Sequence, residues 1–270
     1  MVVSKLYQGW LNAVDKHDYK KARKLYMALL KEAPLTAGIN FPMGVWYKEK
    51  ELFEEAEMAF KRALITDPGI VADSYYYLGN VSREQGDHGQ AIAYYRESLK
   101  VDPNFFEAQY NLGKIYAILG QSKEALQEFT KALELSPEDV DTYINIGVEL
   151  SNQGKRKEAL ESYEKALELN PESYLVYSNI GVEFTALGNY EQGILYHKKA
   201  LALNSFYADG WYNLACSYAR ADDFENSLKA LERSIRLDAS NIEYAKKDPE
   251  LDNIKSTSGY KSIIKKFPRP

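Results

Sequence analysis

The sequence predicts an all-α chain, a right-handed α-α superhelix of about seven helical hairpins closed by C-terminal capping helices, and three observations carry that prediction. First, a motif recurs every 34 residues, most clearly from Leu112-Gly113 to Ala132-Leu133-Glu134-Leu135-Ser136-Pro137 and from Ile146-Gly147 to Ala166-Leu167-Glu168-Leu169-Asn170-Pro171. A period of that length marks stacked supersecondary units, each too small to bury its apolar face alone. Second, each period holds two apolar blocks at helical spacing, split by Gly or Asp at its fifteenth position: Gly86, Gly120, Gly154, Gly188 and Asp222. Third, small and large residues alternate at fixed places. Gly44, Gly79, Gly113, Gly147, Gly181 and Ala215 take the eighth position, and Ala22, Ala56, Ala91, Ala125, Ala159, Gly193 and Ser227 the twentieth. Small residues there let antiparallel helices approach closely, while aromatics such as Tyr95, Phe129 and Tyr163 at the twenty-fourth position fill the space beside them.

In order, the units run 3–36, 37–70, 72–105, 106–139, 140–173, 174–207 and 208–241, with 242–270 left as a C-terminal capping segment. The first unit reverses the usual large-then-small order with Gly9 and Trp10, so its first helix must pack differently. In the second, Pro42 falls inside the expected first helix, and Asn40 is the expected cap of a shortened one. The middle units match at nearly every position. Pro34, Pro68, Pro103, Pro137 and Pro171 sit where second helices must stop. The last unit substitutes Ser227, Leu231 and Ser234 for the usual small, aromatic and Ala residues, which predicts looser pairing. Beyond it the period is lost, although Asp248-Pro249-Glu250-Leu251 and Ser258-Gly259-Tyr260 read as helix starts. Two readings of this segment stand. It covers the unpartnered face of the last unit, or it is a detachable tail whose Ile263, Ile264 and Phe267 bind elsewhere, steered by five basic residues from Lys255 onward.

Composition narrows function. A net charge of -5 argues against nucleic acid as a partner, and 45% apolar residues suffice for a continuous core. Cys216 is the single cysteine, so no internal disulfide forms. The start, Met1-Val2-Val3-Ser4-Lys5, lacks a secretory pattern and no apolar run has membrane-spanning length, so a cytoplasmic protein without membrane attachment is expected. No phosphate-cradling loop, zinc-ligand string or nucleophile elbow is present. His17, His88 and His197 are scattered, and Cys216 reads as a small apolar residue. A non-enzyme without metal or other cofactor is expected.

Together these residues resemble the tetratricopeptide repeat (TPR) of bacterial proteins over residues 3–241. The resemblance implies a solenoid whose first helices line a concave groove with their second, fifth, sixth, ninth, twelfth and thirteenth residues. Carried over by position, the sixth is Asn111, Asn145, Asn179 and Asn213 in four successive units. Asn is a mediocre helix former, so its repetition needs a reason. Carboxamides in a row can pair with the backbone of an extended peptide, as in resembling arrays such as the superhelix of protein O-GlcNAc transferases, or they can bond between neighbouring helices. Around them Asp141 and Asp209 at second positions would attract basic or hydroxyl side chains, or balance helix starts. Tyr76, Tyr110, Ile144, Tyr212, Val148 and Val182 would add apolar contact, with Asn80 and Lys114 completing the predicted peptide-binding groove. The clamp by which some family members hold acidic chaperone tails is absent, since Tyr76, Asp141 and Asn145 stand where its cations belong. The expected function is a protein-interaction scaffold or adaptor. The alternative is a self-associating module acting through end repeats or the C-terminal segment, which makes a homo-oligomer the other candidate partner state.

Overall fold

A computed structural model of the chain describes residues 2–36 and 38–267, which fall into two compact units, Met1–Pro137 and Glu138–Pro270. Met1 of the expected start, Ala37 at the head of the second repeat and Arg269 of the basic run lie outside the described residues. Among the described residues every regular element is helical and no strand occurs. None of the helices is long and apolar enough to cross a membrane.

The first unit contains α1 (Val2–Asp15), α2 (Tyr19–Glu32), α3 (Asn40–Glu49), α4 (Phe53–Thr66), α5 (Val71–Glu84), α6 (His88–Val101), α7 (Phe106–Ile118) and α8 (Ser122–Leu135). Consecutive helices pair as hairpins. Their turns need a left-handed backbone, supplied by Gly86 and Gly120 at φ +79° and +70°, and by His17 and Glu51 at +54° and +58° without glycine's freedom. Inside each hairpin the aromatic of the second helix presses on the bare backbone of the first. A Cβ on Gly79 would meet the Tyr95 ring at 2.6 Å, and one on Gly44 would meet Phe60 at 2.6 Å. The first hairpin solves the problem otherwise: Trp10 is buried against Tyr7, and a Cβ on Gly9 would make only ordinary contact with Leu25 at 3.5 Å. Asn40 is not the cap of α3. Its N-cap residue is Ile39, whereas Asn40 is fully buried, accepts from the Tyr26 hydroxyl at 2.9 Å and donates to Thr66 at 3.1 Å. Burial with two partners satisfies its carboxamide better than capping would.

The second unit contains α9 (Val140–Asn152), α10 (Arg156–Leu169), α11 (Tyr174–Ala186), α12 (Tyr190–Leu203), α13 (Ala208–Arg220) and α14 (Phe224–Leu237), followed by α15 (Asn241–Lys247), α16 (Asp252–Lys255) and α17 (Ser258–Lys266). Side-chain caps open most of these helices, among them Asp139 accepting from the Thr142 amide at 2.7 Å and Asp223 from the Asn226 amide at 3.2 Å. The α13–α14 pairing is not loose. Ser227, Leu231 and Ser234 are completely buried, and the Ser227 hydroxyl donates to the Ala215 carbonyl at 2.8 Å. A serine that returns its hydroxyl to the partner backbone packs as closely as alanine.

Ile242, Ala245, Leu251, Ile254, Tyr260 and Ile263 join Leu214, Leu231 and Ile235 in one core. Here α15 and α16, broken by Pro249, stand in the place of a further first helix, and α17 in that of its second helix. The Tyr260 hydroxyl donates to the Ala245 carbonyl at 2.9 Å, tying the two halves together.

Candidate functional site

The residues expected to line a groove fall on one face each of α9, α11 and α13. On α9, Asp141 is exposed, Ile144 and Asn145 are half-buried, and the Asn145 amide donates to the Asp141 carbonyl at 2.8 Å. On α11, Asn179 is half-buried and its carboxamide makes no hydrogen bond with a described residue. Val148 and Val182, one turn beyond these asparagines, remain 37% and 39% exposed. On α13, Asp209 is exposed, and the Asn213 amide donates to the Ser178 hydroxyl at 3.3 Å.

Those partners have a simple origin. A sixth-position Asn looks back at the fifth and ninth residues of the preceding hairpin. Asn213 finds Ser178 there. Ahead of Asn179 those two positions hold Ile144 and Val148, whose side chains neither accept nor donate. Asn111, in the first unit, finds two polar partners and is a correction to the expected row. It is 8% exposed and its amide donates to Tyr76 Oη and Asn80 Oδ1, both at 3.4 Å. Asn80 is buried too and accepts from the Tyr95 hydroxyl at 2.8 Å, so Asn80 and Asn111 form an internal seam rather than a groove surface. Tyr76 packs between Tyr95 and Phe105. Tyr110 stacks on Phe106 with ring centres 5.8 Å apart, and Lys114 Nζ lies 5.3 Å from the Tyr110 ring centre.

Tyr212 is a second correction. Its hydroxyl donates to Asp248 at 2.8 Å, so the C-terminal segment already engages it. Burial, and then this bond to a carboxylate, hold its hydroxyl protonated well above the usual tyrosine range. Cys216 Sγ lies 3.8 Å from the same carboxylate, and Glu250 is close by. Burial pushes the thiol far up, reinforced by the negative charge of Asp248 and Glu250, so it is a proton donor and not a reactive thiolate. Ligand atoms of Cys216, Asp248 and Glu250 lie within 4.8 Å of one another, the one such grouping among the described residues. In this protonation state they read as a hydrogen-bonded knot tying the segment to α13. Position alone could not announce Asp248, yet Glu243 and Lys247 repeat Asp209 and Asn213 at the 34-residue spacing.

Models of the tetratricopeptide repeat match residues 106–139, 140–173 and 208–241, and a TPR-repeat model matches residues 79–120. The chain is a tetratricopeptide-repeat protein. The array is similar in structure to PilF of Pseudomonas aeruginosa, with a TM-score of 0.64 at 22% identity, over 78% of this chain and 96% of that one. It is similar to MamA from Desulfovibrio magneticus RS-1, with a TM-score of 0.58 at 24% identity, over 63% of this chain and 96% of the other. YrrB, described as a TPR protein with an unusual peptide-binding site, aligns with a TM-score of 0.56 at 25% identity, over 70% of this chain and 98% of its own. No curated relative matches the sequence. Tetratricopeptide-repeat proteins are in general protein-interaction scaffolds, and the repeat is in general not catalytic.

Proposed function

We propose that this protein is a non-catalytic adaptor that holds an extended peptide segment of a partner protein along the inward face of α9, α11 and α13. The observation that carries the reading is Asn179, a half-buried carboxamide without a partner among the described residues, on a face of the repeat frame where the ninth-position Val148 and Val182 expose apolar surface. A carboxamide offers one acceptor and two donors, the pattern that a strand's backbone completes, and flanking apolar side chains add contact area without selecting a sequence. The exposed Asp141 and Asp209 favour a ligand that is not acidic. The similarity to YrrB supports the same reading.

An array of acetylated, extended dodecapeptides probed with the purified chain tests it. Asn179→Ala should weaken the peptides that bind by about tenfold, the worth of one or two hydrogen bonds, while the melting curve stays in place. Undiminished binding by the variant overturns the reading. Self-association through the C-terminal segment would require Tyr260 and Ile263 to leave the core, and Lys266 to release Glu232, 2.7 Å away. Sedimentation of the chain with and without residues 255–270 separates that alternative from the adaptor.

A further inference from the structure

Where α15 lies beside the start of α13, the second unit carries an open cleft of about 860 Å³. Asp209, Glu243 and Asp248 bring three carboxylates to its lining, against the single ammonium of Lys247. Tyr212 and Tyr244 supply aromatic surface. Tyr244 is 65% exposed, an aromatic ring that the fold does not use. Asp248 is held in place by the Tyr212 hydroxyl, so one carboxylate is fixed before any ligand arrives. Glu243 already pairs with Lys246 at 2.7 Å, a partly exposed pair with which an incoming cation would compete.

We propose that this cleft takes the guanidinium of an arginine side chain in the bound peptide. The inference rests on the adaptor reading and adds the ligand's chemistry to it. Asp209 and Glu243 stand at the second position that Asp141 also takes, with Leu175 between them and Asp141, and sixth-position Lys247 follows Asn179 and Asn213, so the cleft lies on the same face of the repeat frame. A guanidinium suits it better than an ammonium ion. Its planar fork can meet two carboxylates at once, and its flat, weakly hydrated face can stack on a tyrosine ring, which a strongly hydrated ammonium does less readily. An acidic segment would face three carboxylates that Lys246 and Lys247 only partly offset.

Fluorescence anisotropy with capped peptides tests the assignment, using Gly-Arg-Gly-Arg-Gly-Arg-Gly, its lysine counterpart and the same peptide with citrulline, the neutral isostere of arginine. Acetylated ends remove the terminal amine from competition. The arginine peptide should bind at least tenfold tighter than the citrulline peptide and severalfold tighter than the lysine peptide. The combined Asp209→Asn and Glu243→Gln variant should erase that preference with helix content unchanged, and Lys247→Gln should strengthen it. Neutralising Glu161 and Glu164 on α10 should leave it intact. Equal binding of arginine and citrulline peptides overturns the proposal, as does a preference that survives the cleft variant or that the α10 variant removes equally. The adaptor reading fails separately. Asn179→Ala should weaken all three peptides alike, so a preserved arginine preference with no Asn179 effect sinks the groove and keeps the cleft, while the reverse pattern does the opposite.

Discussion

The imidazole of His197 packs onto the bare backbone of Gly181, so closely that a Cβ added to Gly181 would fall 2.6 Å from its Cε1 and Nδ1. The ring is fully buried where the five preceding hairpins place Tyr or Phe, and neither nitrogen has a hydrogen-bond partner among the described residues. Burial pushes its pKa down to about 4. The unfolded chain therefore takes up a proton near pH 6.5 that the folded chain refuses until about pH 4. Stability is held above that window and lost as pH falls through it, by about 3 kcal/mol in all. Urea titrations of the chain and of His197→Phe from pH 7.5 to 4 should show the slope shrink in the variant. The variant should also be more stable at pH 7 by about 1 kcal/mol, because it removes two unsatisfied buried nitrogens.

Two asparagines at the same place in the repeat should answer differently to alanine. Asn111→Ala strips partners from Asn80 and Tyr76 and should cost about 1 kcal/mol, read as a lower urea midpoint. Asn179→Ala has no internal bond to break and should leave the midpoint unchanged.

Gly79→Ala should destabilise by about 1–3 kcal/mol, because the Tyr95 ring it would strike is fully buried and tethered through its hydroxyl to Asn80. Gly69, whose added Cβ would meet nothing within 4 Å, makes the control, and Gly69→Ala should be nearly neutral. Thermal unfolding followed by circular dichroism compares the two.

Glu183 is buried to 2% side-chain exposure and is held by the Ser151 hydroxyl and, at 2.9 Å, by Arg156. Arg156→Ala leaves that carboxylate with one neutral donor and should cost about 2 kcal/mol. Restoring stability by adding Glu183→Gln to the Arg156→Ala chain would confirm that the cost lies in the uncompensated charge.

Glu51 holds φ +58° in an exposed turn where Gly86, Gly120, Gly154 and Gly188 serve four other hairpins. Glu51→Gly should stabilise the chain by about 0.5–1 kcal/mol, read as a higher urea midpoint, since relief of left-handed strain exceeds glycine's entropy cost there.

The hairpins were legible in the sequence because their determinants are local. Gly79 and Tyr95, or Gly113 and Phe129, lie within one period and meet whatever surrounds them. Asn40 was misread because the competing fate of its side chain lay with Tyr26 and Thr66, in two other helices. The asparagine row was half legible. The frame told which way Asn111, Asn145, Asn179 and Asn213 face, but whether an amide is consumed depends on the residues one repeat earlier, and those differ. The helix α15 escaped notice because Asn241–Lys247 carries neither the small-residue signature nor the length of its counterparts, and Pro249 cuts it short. Only the acid at 243, spaced from Asp209 by one period, hinted at it.

The broken hairpin formed by α15, α16 and α17 also bears on how such an array can evolve. The stacking surface that an additional copy would need beyond α14 is already taken by Ile242, Leu251, Ile254 and Ile263. A copy gained by duplication can therefore stack only if it enters ahead of that broken hairpin, which leaves the apolar face of the last repeat covered whatever the number of repeats before it.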